Sequence, residues 1–144
     1  MNFNQYTERS QGFIQSAQTL AQREGHQRIL PIHLLKVLLD DEQGQCANLI
    51  RAAGGDAEKA LELTTIELNR LPKIGGGGAG QVFLAPETTK IFVIAEKEAK
   101  KSGDTFVTVE FLLLALALSK DTDAGKILVT SQVIPEKLNI AIET

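Results

Sequence analysis

The sequence predicts an all-α domain made of two copies of one four-helix unit. Two observations predict it: a pattern that recurs at a fixed offset, and apolar residues that recur at helical spacing within each copy. Ala17, Ala21 and Gly25 reappear as Ala95, Ala99 and Gly103, and 95 − 17, 99 − 21 and 103 − 25 all give 78. At the same offset Ile29 meets Val107, Leu34-Leu35 meets Leu112-Leu113, and Leu38 meets Leu116. Leu49-Ile50 meets Ile127-Leu128, and Glu58-Lys59 meets Glu136-Lys137. The register holds without a gap from Phe13, opposite Ile91, to the end of the chain. Chance could copy a few leucines, but hardly the glycine and the Glu-Lys pair at one register.

In the first copy Thr7 is placed as an N-cap, its hydroxyl able to accept an orphan helix N–H. Phe13, Ala17, Leu20 and Ala21 line one face of the helix that follows, and Gly25 stops it. Pro31 starts the second helix, with Leu34, Leu35, Leu38 and Leu39 as its apolar stripe. A short third helix carries Cys46, Leu49 and Ile50 and ends at Gly54-Gly55. Asp56 caps the fourth, which runs through Leu61 and Leu68 to Leu71, before Pro72.

The second copy repeats these signals. Ile91, Ile94, Ala95 and Ala99 line its first helix, and Gly103 ends it. Thr108 is expected to cap the next, whose stretch Phe111 to Leu118 is apolar all round and belongs at the centre of the domain. Ile127-Leu128 marks the third helix, and Pro135 lies in the first turn of the last. Val-rich alternation is scarce, so strands are not expected.

Residues 1–144 read as one domain: repeat one over 6–72, a glycine-rich linker over 73–81 and repeat two over 82–144. Five glycines in six positions suit a flexible connector. A phosphate loop would need G-x-x-x-x-G-K-[ST], and no Lys-Ser or Lys-Thr follows here.

A net charge of −3, with Lys and Arg scattered among Asp and Glu, argues against a nucleic-acid surface. Phe111–Leu118 is far short of the ~20 apolar residues that span a bilayer. The start MNFNQYTERS lacks the features of a signal peptide, so a cytoplasmic location is expected. Cys46 has no disulfide partner and reads as a small core residue. His26 and His33 fit no zinc spacing and read as solvated or helix-terminal. Ser10, Ser16, Ser102 and Ser131 lie in helix termini or polar faces, not in a nucleophile turn. Asp40-Asp41, and Glu96 with Glu98, point to different sides of a helix and form no acid pair. No catalytic residue, cofactor or metal is expected in this chain.

Polar differences between the copies are then the places to look for function. Asp104 stands opposite His26, and Glu110 opposite Ile32, in register. Glu110 in a first helical turn gains from the helix dipole by ~0.3–1 kcal/mol. The sharper expectation sets Asp104 and Glu110 together at a groove mouth that contacts a partner. Phe3, Tyr6, Val82, Phe83 and Leu84 lie outside the repeated helices and are the apolar candidates for that groove, with packing on the domain's own surface as the alternative.

In these residues the chain resembles the N-terminal domain of the ClpB protein disaggregases, ATP-dependent chaperones of the Clp AAA+ family. The resemblance rests on Tyr6-Thr7, on Pro31 followed by Ile32-His33-Leu34-Leu35, on Leu68-Asn69-Arg70-Leu71-Pro72-Lys73 leading into glycines, on Gly80-Gln81-Val82, and on Lys101 to Glu110. It implies a pseudo-two-fold bundle of eight helices that recruits unfolded or aggregated polypeptide through an apolar groove. It carries over substrate-binding roles to Thr7, Asp104 and Glu110. It also implies a longer, homohexameric parent that uses ATP and magnesium and works with the DnaK chaperone system, the isolated domain being a monomer. Related Clp ATPases use this fold to dock adaptors for a protease, which is the alternative function. One relative, ClpC, pairs two glutamates to bind phosphorylated arginine. Here one of those places is Ile32, which argues against a symmetric site of that kind.

Overall fold

The structure, a computed structural model, describes residues 2–74 and 81–144. The glycine stretch 75–80 of the expected linker lies outside the described residues. Repeat one supplies α1 (Glu8–Arg23), α2 (Pro31–Leu39), α3 (Gln45–Ala52) and α4 (Ala57–Arg70). Repeat two supplies α5 (Pro86–Lys101), α6 (Val109–Leu118), α7 (Asp123–Thr130) and α8 (Pro135–Glu143). Every helix of the second set starts 78 residues after its counterpart: 86 − 8, 109 − 31, 123 − 45 and 135 − 57. The sequence offset is therefore an offset of structure. In α6 Val109 and every residue from Phe111 to Ala117 are buried, as an all-round apolar stretch must be, while Glu110 is partly buried and the last residue, Leu118, reaches the surface. No helix among the described residues is long and apolar enough to cross a membrane.

Strands were not expected, and two very short ones exist: β1 (Arg28–Ile29) pairs in parallel with β2 (Phe83–Leu84). Tyr6 forms a further parallel bridge with Val107. Two residues are too few to show an alternation, so no sequence period announces them. The two pairings are one motif used twice, since Tyr6 and Leu84 differ by 78, as do Ile29 and Val107. Each repeat thus lends the segment before its first helix to the other repeat.

Hydroxyls reinforce both junctions in the same register. The Val107 carbonyl accepts from the Thr7 N–H at 3.1 Å and from the Ser10 hydroxyl at 2.9 Å. The Ile29 carbonyl accepts from the Ala85 N–H at 3.2 Å and from the Thr88 hydroxyl at 2.8 Å. Ser10 and Thr88 are fully buried, so water cannot replace either bond. Ser10 is thus a junction residue rather than one of a polar face. Thr88→Val keeps the shape and deletes one of these bonds. It should lower stability by about 1 kcal/mol, read as a lower urea midpoint.

Two of the three expected caps form, and Thr122 supplies one that was not expected. Thr7 accepts from the Ser10 N–H, Asp56 from the Lys59 N–H and Thr122 from the Gly125 N–H. Thr108 occupies the N-cap position of α6, but its side chain makes no capping bond and its Oγ1 is buried without a partner. The reason is local: the Phe111 N–H, the donor such a cap would take, already bonds the Thr108 carbonyl at 3.1 Å.

One backbone position shows what duplication left behind. Gly54, after α3, has φ 87°, and its counterpart 78 residues on, Gln132, has φ 64°. Glycine takes this left-handed conformation freely, whereas a side chain pays for it. Gln132→Gly should therefore stabilise the domain by about 0.5–1 kcal/mol, seen as a higher melting temperature.

Candidate functional site

The segment from Asp104 to Glu110 carries the polar differences between the repeats, and the fold fixes both of its ends. Gly103 ends α5 in a left-handed turn at φ 79°, which lets the Asp104 N–H reach back to the Ala99 carbonyl at 2.9 Å. The chain then extends, and Val107 docks into the junction with Tyr6 and Thr7. Extended residues alternate, so buried Val107 turns its neighbour Phe106 outward, leaving that ring 48% exposed.

Beside this segment lies a cavity of about 540 Å³ lined by Gln5, Glu96, Lys97, Lys100, Asp104 and Thr105, with Ala99 and Val107 at its apolar side. Asp104 is exposed at it. Two lysines and two carboxylates share the wall, so the cavity favours neither sign of charge. One of the carboxylates is occupied, because Glu96 Oε2 accepts from the Tyr6 hydroxyl at 2.6 Å. Burial, reinforced by the Glu96 charge, pushes the Tyr6 phenol above its ordinary range and keeps it a neutral donor.

The candidate residues divide among different surroundings. Tyr6 is only 2% exposed and belongs to the core, where it meets Phe3 and Phe92 edge to face at 5.0–6.1 Å between ring centres. Phe3, Val82 and Leu84 are half-buried and packed against the core. Of the five apolar candidates, Phe83 alone is an exposed large side chain, at 58%. Phe3 and Tyr6 adjoin the Val107 junction, whereas Phe83 and Leu84 pair with Arg28 and Ile29. Thr7 ties its segment to that of Asp104: its hydroxyl donates to Ser10 Oγ at 2.9 Å, which in turn donates to the Val107 carbonyl.

Glu110 has its own environment. Gln45 Nε2 donates to Glu110 Oε1 at 3.0 Å, and Arg9 Nε donates to Gln45 Oε1 at 3.0 Å. Arg9 also pairs with Asp41 and stacks over the Phe13 ring at 5.1 Å. Glu110 therefore ends a hydrogen-bonded chain that runs across α1 and α3. Cys46 lies under this cluster. Burial pushes its thiol up to about 12, with the Asp41 and Glu110 charges adding to the effect, so it stays protonated and unreactive.

Sequence reasoning passed over Phe106, Gln5, Lys97 and Lys100, and missed what the two histidines do. Phe106 had a signal, since it alternates with a residue that the repeat marks as core. The lysines had none, because a lysine beside a cavity and a lysine on an ordinary solvated face look alike in sequence. His26 and His33 are not solvated: they are 5% and 0% exposed and bond each other at 2.8 Å between Nδ1 and Nε2. The close packing of the loop after α1 on the first turn of α2 buries both. Among the described residues, no group of three or more metal-binding side chains occurs.

Residues 5–131 match the family described as the Clp repeat (R) N-terminal domain. The chain is 56% identical over 142 residues, 99% of its length, to the chaperone protein ClpB of Rhodopseudomonas palustris. It is 51% identical over the same share to the chaperone protein ClpB of Rhizobium meliloti, and it spans 16% of the length of each of these relatives. Among solved structures it is similar to the Hsp104 N-terminal domain from Candida albicans, with a TM-score of 0.80 and 16% identity over 96% of this chain and 89% of that one. It is also similar to the N-terminal domain of the ClpV1 ATPase from E. coli, with a TM-score of 0.76 and 20% identity over 95% and 83% of the two chains. At such identities the structural likeness speaks for the fold alone.

Proposed function

We propose that this chain, which belongs to the Clp repeat N-terminal domain family, captures unfolded or aggregated polypeptide for an ATP-dependent disaggregating chaperone. The observation that carries this reading is the cavity of about 540 Å³ beside Asp104, with the exposed Phe106 ring on the same segment. A cavity of mixed charge, with an exposed ring on the same segment, suits a ligand without fixed sequence. The ring takes any apolar side chain, and the lysines and carboxylates take either sign of charge. One buried apolar side chain contributes only ~1.5–3 kcal/mol before ordering costs, so binding is weak and quickly reversed. That suits a domain that must hand on what it holds.

Thr7 acts here by holding the Asp104 segment in place, and Glu110 by a separate contact at the Gln45 cluster. The chain itself is non-catalytic. ATP with magnesium, assembly into a hexamer and cooperation with DnaK would belong to the cytoplasmic parent chaperone outside this chain. Fluorescence anisotropy with a permanently unfolded, labelled polypeptide tests the reading. Phe106→Ala and Asp104→Ala should each weaken binding several-fold, about 1 kcal/mol, while leaving the fold intact because both side chains are exposed. Unchanged affinity in both variants, or tight binding of one folded partner in place of the unfolded chain, would favour an adaptor-docking domain instead.

A further inference from the structure

The Asp104 cavity has a counterpart in the other repeat with different chemistry. Asp104 and Thr105 correspond to His26 and Gln27 at the offset of 78. These two line a second cavity, of about 220 Å³, together with Arg28, Leu30, Leu71, Pro72, Lys73 and Ile74. Its walls are mainly aliphatic, and one wall holds a histidine with a donor to spare.

The hydrogen bonds fix which nitrogen of each ring carries the proton. The Leu30 N–H donates to His33 Nδ1 at 2.9 Å, so that nitrogen is an acceptor and neutral His33 carries its proton on Nε2. His33 Nε2 then donates to His26 Nδ1 at 2.8 Å, which leaves the proton of neutral His26 on its own Nε2. That Nε2–H is buried and has no acceptor among the described residues. An orphaned buried donor is destabilising, and a ligand acceptor would satisfy it.

The charges around the cavity point the same way. Arg28 and Lys73 line it, and Arg23 lies beside Glu24, the one carboxylate that pairs with Lys73 among the described residues. Three cations to one anion favour a negatively charged acceptor, and Leu30, Leu71, Pro72 and Ile74 favour an aliphatic group attached to it.

We propose that this second cavity binds the free C-terminal carboxylate of a polypeptide ending in an aliphatic residue. The aliphatic side chain lies against Leu30, Leu71 and Ile74, and the carboxylate accepts from His26 Nε2–H and faces Arg28 and Lys73. The site does not depend on the Asp104 cavity, and either can be occupied or empty without the other.

Titration of ¹⁵N-histidine- and amide-labelled protein with N-acetyl-leucine, N-acetyl-leucinamide, acetate and a short peptide ending in leucine tests the proposal. N-acetyl-leucine and the peptide should shift His26 Nε2 and the amides of Leu71, Lys73 and Ile74, with dissociation constants of about a millimolar. Leucinamide, which lacks the charge, and acetate, which lacks the side chain, should each bind about tenfold more weakly. The double variant Arg28→Gln, Lys73→Gln, at exposed positions that keep the fold, should also bind N-acetyl-leucine about tenfold more weakly. Equal binding of leucinamide or acetate, an unaffected double variant, or a peptide weaker than N-acetyl-leucine would each overturn the proposal. So would shifts absent from His26, or gathered at the Asp104 cavity instead.

Discussion

Gly125→Ala is expected to cost the domain about 3 kcal/mol or more, although the glycine sits in a helix, where alanine ordinarily gains about 1 kcal/mol. The reversal comes from one close approach. A Cβ on Gly125 would lie 1.9 Å from the Ser119 carbonyl oxygen, 2.6 Å from its carbon and 2.9 Å from the Lys120 Cα, all of them backbone atoms. Side chains could turn away, but a backbone turn cannot. Helix α6 runs one residue further than α2, to Leu118, so residues 119–122 make a turn where repeat one has residues 40–44. Thr122 pins that turn onto α7, donating to the Ser119 carbonyl at 2.7 Å and accepting from the Gly125 N–H at 3.0 Å. Repeat one carries Ala47 at the equivalent place, since 125 − 47 is 78, and its longer connection leaves room for the methyl. Chemical denaturation of the variant would show the loss as a reduced midpoint. An unchanged or raised midpoint would mean that the turn does not lie against α7 as described.

The second large effect is loss of stability in mild acid. Burial pushes His33 down to about 4, with the neighbouring His26 ring adding to the effect, and burial also lowers His26, which Lys73 lowers further while Glu24 opposes it. The hydrogen bonds give the reason in atoms. A proton on His33 Nδ1 would meet the Leu30 N–H, and one on His26 Nδ1 would meet the His33 Nε2–H. Unfolded, His33 takes up its proton near the ordinary histidine value of 6.5, whereas in the folded chain it resists to about 4. Stability is therefore fully present above 6.5 and falls with pH through this window. At about 1.4 kcal/mol per pH unit, roughly 3 kcal/mol is lost by the lower end. His33→Phe places at this position the residue that repeat two carries as Phe111, 78 residues on. The variant should be less stable at neutral pH, because the Leu30 N–H and His26 Nδ1 both lose a partner. Between pH 6.5 and 5, however, its stability should fall less than that of the unsubstituted protein. Parallel curves over that range, from urea melts at each pH, would contradict the account.

The helices were legible because duplication wrote each of them twice. Gly25 with Gly103 marks the same boundary in both copies, Pro31 and Pro135 each mark a helix start, and hydrophobic spacing fills in the rest; the structure repeats the offset helix by helix. What escaped the sequence was contact across the repeats. The Ser10 and Thr88 hydroxyls read as ordinary polar residues near helix starts, because their partners, the Val107 and Ile29 carbonyls, are far away in the chain. His26 and His33 escaped for another reason: they are seven residues apart in one repeat, and their bond depends on how a loop folds onto a helix. Thr108 misled for a local reason, since its carbonyl takes the N–H that its hydroxyl would have capped. The candidate site was legible at Asp104 through the mismatch with His26. Tyr6 was ambiguous, because an aromatic residue outside the repeated helices suits a groove and a core equally well.

Amide chemical shifts of the labelled domain, followed as a permanently unfolded polypeptide is added, test the binding reading most directly. The account predicts saturable shifts at Gln5, Lys97, Lys100 and the segment Asp104 to Val107, with smaller changes at Thr7, which holds that segment in place. Shifts that spare this segment and gather elsewhere on the surface, or no shifts at about millimolar polypeptide, where weak capture would still populate the complex, would contradict it.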